Sequence, residues 1–484
     1  MPTLDQIWRW TLRVIVALGV VVLLAMIWRV WDTRGGLPLM AWHRDVPKEL
    51  RQRDIEALDW AGYVAAENSL FVQTYRDLAT SIPTDAQSGA SRYSPSSPMF
   101  PHAGQSDWNR SYVLEPEGEL RGAVVLLHGL TDSPYSLRHL AQHYRERGFL
   151  ALGIRLPAHG TVPAALTAVR WEDWRAASRL ALREARRRAG PDRPLHIVGY
   201  SNGAALAVLL ALDALEDAKI PRAQRLVLIS PMIAVNRWAR YADILGWPAI
   251  FPAFAHAAWI DVLPEYNPYK YNSFPVNGAR QSSQLTREVQ ARLADGVDAK
   301  RMDSFPPVLA FQSVVDATVS VQAVVSEFFA LLPNNGSELV LFDLDRSAYL
   351  QSLLLAARRA PAEELLNAAP RGFRVGLISN QDHDDGEMGE WRMDAGQTEF
   401  KRRALRWRYP FGVYSLSHVA LPFPLTDGLY GLNPADAHDR GLHLGAIAPR
   451  GERGMLVVSS ADLARMKSNP FFDYLIERVD EGLR

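Results

Sequence analysis

The pentapeptide Gly199-Tyr200-Ser201-Asn202-Gly203 sets a serine between two glycines. It follows the β-type run Leu195-His196-Ile197-Val198 and precedes the apolar helical run from Ala204 to Leu212. A strand that turns sharply into a helix at Ser201 would lift its hydroxyl out of the backbone, as a nucleophile needs. Glycines on either side remove the side chains that would block so tight a turn. The helix that follows would point its free N–H groups at negative charge forming near Ser201. The chemistry suggested is attack of an alkoxide on a carbonyl; a plain glycine-rich turn is the alternative. Upstream, Val124-Val125-Leu126-Leu127 suits a strand buried on both faces. That run ends at His128-Gly129-Leu130-Thr131-Asp132-Ser133-Pro134.

Two further stretches complete a pattern: Arg155-Leu156-Pro157-Ala158-His159-Gly160-Thr161 and Trp171-Glu172-Asp173-Trp174. With the loop at His128 and the serine turn, they resemble the monoacylglycerol-lipase and serine-aminopeptidase-like branch of the α/β-hydrolase superfamily. The resemblance runs from near Ser106 to near Gly431. It implies the α/β-hydrolase fold, a mostly parallel sheet with helices on both faces and an inserted cap. It also implies a serine hydrolase that cleaves carboxylic esters without a cofactor, its substrate a small-molecule or lipid ester. In that family the backbone N–H groups after the first strand and after the nucleophile hold the oxyanion, which here means Leu130 and Asn202. The chain order Ser, acid, His then points to Asp316, just after the strand-like run Val308–Ser313, and to His418, at the end of the strand-like run Gly412–Ser417. Asp343 and Asp345 are reserve acids, and His383 is the reserve base. Peptidase, thioesterase and acyltransferase activities on the same triad stay open, as does a hydrolase-like binding module without turnover. The cluster Asp382-His383-Asp384-Asp385 lacks the spacing of a calcium loop, so no metal is expected.

The elements needed to hold these residues are legible along the chain. The 484 residues, 48% of them hydrophobic, suffice for one large catalytic domain with appendages. Zero formal net charge without a basic stripe argues against nucleic acid, and the absence of cysteine excludes thiol chemistry. Strand-like runs at Ala123–Leu127, Leu150–Ile154, Leu195–Val198, Leu226–Ile229, Val308–Gln312 and Glu338–Phe342 alternate with helical patterns such as Trp171–Arg188. That alternation predicts a parallel sheet. The catalytic domain is placed at 106–484. A cap at about 231–293 is rich in aromatics, from Trp238 to Phe274, and most of these are expected to pack the cap itself. An insertion at about 346–409 would form a flap or a sheet edge, with one strand near Phe373–Ser379.

At the N-terminus, Val14 to Trp28 carries no charge and is bracketed by Arg13 and Arg29, with Trp10 and Trp31 outside. The expectation is an uncleaved single-pass membrane anchor at 10–31, with the side of the catalytic domain left open. Residues 32–105 then read as a tether without chemistry of its own.

Overall fold

The computed structural model describes residues 4–34, 37–81, 91–101, 107–233, 252–347, 371–382, 386–434, 443–447 and 458–483. Its centre is a ten-stranded sheet in the order β1-β3-β2-β4-β5-β8-β9-β10-β11-β12. The strands are β1 (Tyr112–Leu114), β2 (Gly122–Leu127), β3 (Phe149–Ile154), β4 (Leu195–Tyr200), β5 (Arg225–Ile229), β8 (Val308–Ser313), β9 (Glu338–Phe342), β10 (Arg374–Asn380), β11 (Met388–Met393) and β12 (Lys401–Ala404). A two-stranded ribbon of β6 (Trp259–Asp261) and β7 (Phe274–Pro275) lies in the cap. From β3 to β10 all neighbours run parallel; β1, β11 and β12 pair antiparallel at the two edges.

The central strands are apolar throughout because both faces are covered. Val125, Leu127, Leu152 and Ile197 face one core with the helices Trp171–Ala189, Asn202–Glu216 and Val276–Asp298. Val124, Leu126, Ala151 and Val198 face a second core with Arg138–Glu146 and Phe472–Asp480. The alternation of core along each strand follows from the period of two. This is the α/β-hydrolase architecture, with the parallel strands aiming their C-terminal ends at one rim.

The structure changes several expectations. The segment Leu4–Arg34 is helical, but among the described residues no helix is long and apolar enough to cross a membrane. The single-pass anchor is therefore corrected. The uncharged run Val14–Trp28 holds 15 residues, which rise about 22 Å against a hydrocarbon core about 30 Å thick. The stretch read as a tether is also more than a spacer: Trp42, Tyr63, Phe71 and Leu78 are buried. The helix Trp60–Ser81 packs against the catalytic domain. In the insertion, β10 lies where one strand was expected, and β11 and β12 extend the edge further, two strands the sequence reading did not include. The part of the insertion at 348–370 lies outside the described residues.

Candidate active site

Ser201 sits at the β4-to-helix turn with φ 54°, a positive angle that a non-glycine residue adopts only under constraint. The constraint is visible. Its N–H donates to the Ile229 carbonyl of β5 at 2.9 Å, and the Ala204 N–H returns to the Ser201 carbonyl at 3.0 Å. Glycine is required on both sides by contact distance. A Cβ on Gly199 would stand 2.5 Å from the Ala204 Cα, and one on Gly203 would stand 2.0 Å from the Leu127 carbonyl oxygen. Those approaches let the helix start directly above the sheet, with Ser201 at its N-terminus.

His418 arrives from far along the chain. Its Nε2 lies 2.9 Å from the Ser201 Oγ, and its Nδ1 lies 2.8 Å from the Asp316 Oδ2. The other Asp316 oxygen accepts from the Thr318 and Val319 N–H groups at 2.8 and 2.9 Å, which fixes the carboxylate. With Asp316 accepting, Nδ1 carries the proton and Nε2 is left as the acceptor facing Ser201. The run before His418 was expected as a strand. It is instead an irregular loop, and His418 opens a 3-10 turn, His418–Ala420. The β9-adjacent edge position is already taken by β10, so this loop cannot join the sheet. It is held by single bonds: Ser313 Oγ to the Leu416 carbonyl at 2.8 Å, and the Asp345 N–H to the Tyr414 carbonyl at 2.9 Å.

The other named residues fall as follows. Gly129 lies so close to the nucleophile that a Cβ there would be 3.3 Å from the Ser201 Cβ, which brings the start of the Leu130 loop to the site. Among the described residues neither the Leu130 nor the Asn202 N–H has a backbone acceptor. The Asn202 Oδ1 accepts from Ser282 on the cap helix Val276–Asp298 at 2.9 Å, which ties that helix to the elbow. Asp343 is engaged by Arg346 at 2.6 and 2.9 Å and by Ser379, and Asp345 by the Ser347 N–H. Both sit just after β9, and the carboxylate bonded to the His418 ring is that of Asp316. His383, Asp384 and Asp385 lie outside the described residues, as do Trp238, Tyr241, Trp247 and Phe251 of the cap. Of the described cap aromatics, Tyr269 stacks on Tyr135 at 4.0 Å and Tyr271 lies under Arg92, so both are used in packing. Among the described residues no group of three His, Asp or Glu is placed to hold a metal ion.

Several residues at or behind the site were not singled out from the sequence. His128 accepts the Leu156 N–H on Nε2 at 3.0 Å and donates from Nδ1 to the Gly129 carbonyl. Burial beside His159 keeps it neutral, its pKa well below the usual imidazole range. It thus clamps the loop after β2 to the loop after β3. Asp132, in the loop beside the elbow, is buried and pushed up to about 7 by desolvation, opposed by the Lys270 charge. Arg155 is 1% exposed at the side chain and is neutralised by residues of the supposed tether. It meets Glu49 through Nη1 and Nη2 at 3.1 Å each, and Glu67 through Nε at 3.1 Å. The signal in the sequence was the apolar spacing that continues to Leu78, which a free spacer does not need.

A serine on a strained turn at the rim of a parallel sheet thus stands with a histidine at its hydroxyl and an aspartate behind that histidine. Residues 118–332 match the family described as serine aminopeptidase, S33. Over that segment the chain is similar to the serine-aminopeptidase-like α/β hydrolases. No curated protein matches it. Among solved structures it is similar to that of the metagenome-derived lipolytic enzymes LipS and LipT, at 22% identity over 49% of this chain and 88% of that one, TM-score 0.38. It is similar to a soluble variant of monoglyceride lipase from Saccharomyces cerevisiae, at 16% identity over 48% and 81%, TM-score 0.36. A thermostable carboxyl esterase from Bacillus coagulans matches at 12% identity over 48% and 83%, TM-score 0.37.

Proposed function

We propose that this α/β hydrolase cleaves carboxylic esters with an apolar acyl group through Ser201, His418 and Asp316. The observation that carries the reading is the pair of hydrogen bonds at the His418 ring, 2.9 Å to the Ser201 Oγ and 2.8 Å to the Asp316 Oδ2. Ser201 attacks the ester carbonyl while His418 Nε2 takes its proton. The Leu130 and Asn202 N–H groups receive the oxyanion, where fixed donors are most effective. His418 then returns the proton to the leaving alcohol, and a water activated by the same nitrogen releases the acid. Asp316 holds the ring in the tautomer this cycle requires. The apolar acyl preference rests on the aromatic composition of 231–293.

The name of the matching family makes a peptidase the second reading. An aminopeptidase must bind an ammonium beside its nucleophile. Hydrolysis of p-nitrophenyl esters from acetate to dodecanoate, set beside aminoacyl p-nitroanilides, tests both readings. The expected outcome is ester cleavage that rises with chain length, lost by about four or more powers of ten in Ser201→Ala and by about 10⁴ in Asp316→Asn. Cleavage of anilides in preference to esters would overturn the ester reading, and unchanged turnover in Ser201→Ala would overturn both.

A further inference from the structure

The cap helix Val276–Asp298 is pinned to the catalytic domain in its first two turns. Asn277 Nδ2 donates to the Leu166 and Val169 carbonyls at 2.8 and 3.0 Å, and Gln281 Oε1 accepts the Trp171 N–H at 3.0 Å. So fixed, one edge of the helix lies against the serine turn. Gly278 and Ser282 stand one turn apart and share that edge. A Cβ on Gly278 would be 3.9 Å from the Leu130 Cδ1, and the Ser282 Oγ donates to the Asn202 Oδ1 at 2.9 Å. A single helix edge thus meets both residues whose N–H groups receive the oxyanion in the cycle proposed above.

Asn202 carries two polar groups with opposite demands. Its main-chain N–H must stay open for the oxyanion. Its carboxamide is buried together with Ser282 and has that hydroxyl as its one hydrogen-bond partner among the described residues, the Nδ2 having none. An asparagine oxygen left without a donor turns to the main chain, commonly to the N–H two residues on. Here that is the Ala204 N–H, which bonds the Ser201 carbonyl at 3.0 Å and holds the nucleophile's turn closed. Burial sharpens the competition, because a hydrogen bond left unmade away from water is costly. Resting on the ester-cleavage reading, we propose that Ser282 is a positioning residue. By holding the Asn202 carboxamide on the cap helix, it keeps the turn at Ser201 closed and the Asn202 N–H aimed at the oxyanion. The cap helix thereby acts on the chemical step without touching the reacting atoms.

In the full-length protein, Ser282→Ala should lower kcat for p-nitrophenyl butyrate about tenfold, part of the about hundredfold or more that a lost oxyanion donor costs, with KM within about twofold of wild type. The rate at which a fluorophosphonate labels Ser201 should fall by a similar factor, since negative charge develops on an oxygen there too. Asn202→Ala removes the competing oxygen, so adding Ser282→Ala to it should cost nothing further in either rate. A purely structural Ser282 would instead lower the urea unfolding midpoint and leave kcat of the folded enzyme alone. Ser282→Cys keeps the shape with a weaker donor and serves the same comparison if the alanine variant does not fold. Unchanged kcat and labelling in Ser282→Ala, or an equal loss with and without the Asn202 carboxamide, would overturn the inference and leave the ester reading standing. Labelling without cleavage of any ester would overturn the ester reading, and the labelling rates alone would then decide on Ser282. No labelling of Ser201 at all would overturn both.

Discussion

At the residue scale, burial and charge set the behaviour of single groups more than residue type does. Asp132, buried in the loop beside the serine turn, is shifted far from its ordinary ionisation, from 3.8 to about 7. Desolvation is the leading cause, and the Ser133 N–H and the Lys270 charge oppose it. The sign for stability follows. Between those two values the unfolded chain has lost the proton and the folded chain keeps it, so folding takes up a proton and stability falls as pH rises from about 4 to about 7. Above that the penalty is constant. Asp132→Asn keeps an oxygen for the Ser133 N–H, now 3.0 Å away, and cannot ionise. The variant should be more stable than the wild type at pH 8 by on the order of a few kcal/mol, with the difference vanishing near pH 4. Urea unfolding of both proteins across that range checks it. A difference that stays flat with pH would mean that Asp132 ionises in the fold as it does in water.

At the scale of elements, the turn from β4 into the helix Asn202–Glu216 depends on two backbones that almost touch. Gly203 admits the Leu127 carbonyl of β2, and a methyl group there has only 2.0 Å. No rotation of a side chain relieves that clash, since the obstacle is main chain in the next strand. Gly203→Ala should force the helix start away from β2 and destabilise the protein by about 1–3 kcal/mol or more. Activity should fall further than stability, because the same shift moves Ser201 and the Asn202 N–H. Urea unfolding and ester turnover measured on the same preparation separate the two. Full turnover with an unchanged unfolding midpoint would show that the strand-to-helix junction is looser than the 2.0 Å approach requires. The cap helix Val276–Asp298 reports to the same junction through the bond from Ser282 to Asn202. The loop after β2 is held from the other side, where the Tyr271 N–H meets the Thr131 carbonyl at 2.8 Å.

At the scale of the whole molecule, the N-terminal segment is part of the catalytic domain's stability. A chain begun near Ser106 retains every residue assigned to chemistry, and on the sequence alone it should be self-sufficient. The structure argues otherwise. Glu49 and Glu67 are the acids on Arg155, and the Tyr63 hydroxyl closes the same corner by donating to the Arg155 carbonyl at 2.7 Å. Removing an acid from a buried pair costs about 3–5 kcal/mol, because the remaining charge stays desolvated. Glu49→Gln with Glu67→Gln should therefore lower the unfolding free energy by at least that much, and truncation to Ser106 by more, since the packing of Phe71 and Leu78 goes with it. Arg155→Met in the truncated chain should recover part of the loss. A truncated chain as stable as the full one would remove the segment's structural role.

What could be read from the residues in order was local. The runs of β2, β3, β4, β5, β8 and β9 were legible to within a residue or two, because strands covered on both faces must be apolar without interruption. The glycines of the serine turn were legible for the same kind of reason, since only absent side chains allow that backbone approach. Pattern was silent wherever the partner is distant. It read Gly412–Ser417 as a strand, but a strand needs a free sheet edge, and β10 already holds the place beside β9. It read 10–31 as a membrane span and 32–105, with Glu49 and Glu67 in it, as a tether. Periodicity reports that a face is buried or charged, never against what. The meeting of Ser201 with His418 across 217 residues, and of Arg155 with Glu49 across 106, is a property of how the sheet and its cover close in three dimensions. Composition and spacing determined that a nucleophile's turn would form and which elements would carry it. The tertiary structure alone decided that the Asp316 and His418 named from chain order meet at Ser201, and which buried counter-charges stand around Arg155, because those contacts are made between segments that share no local pattern.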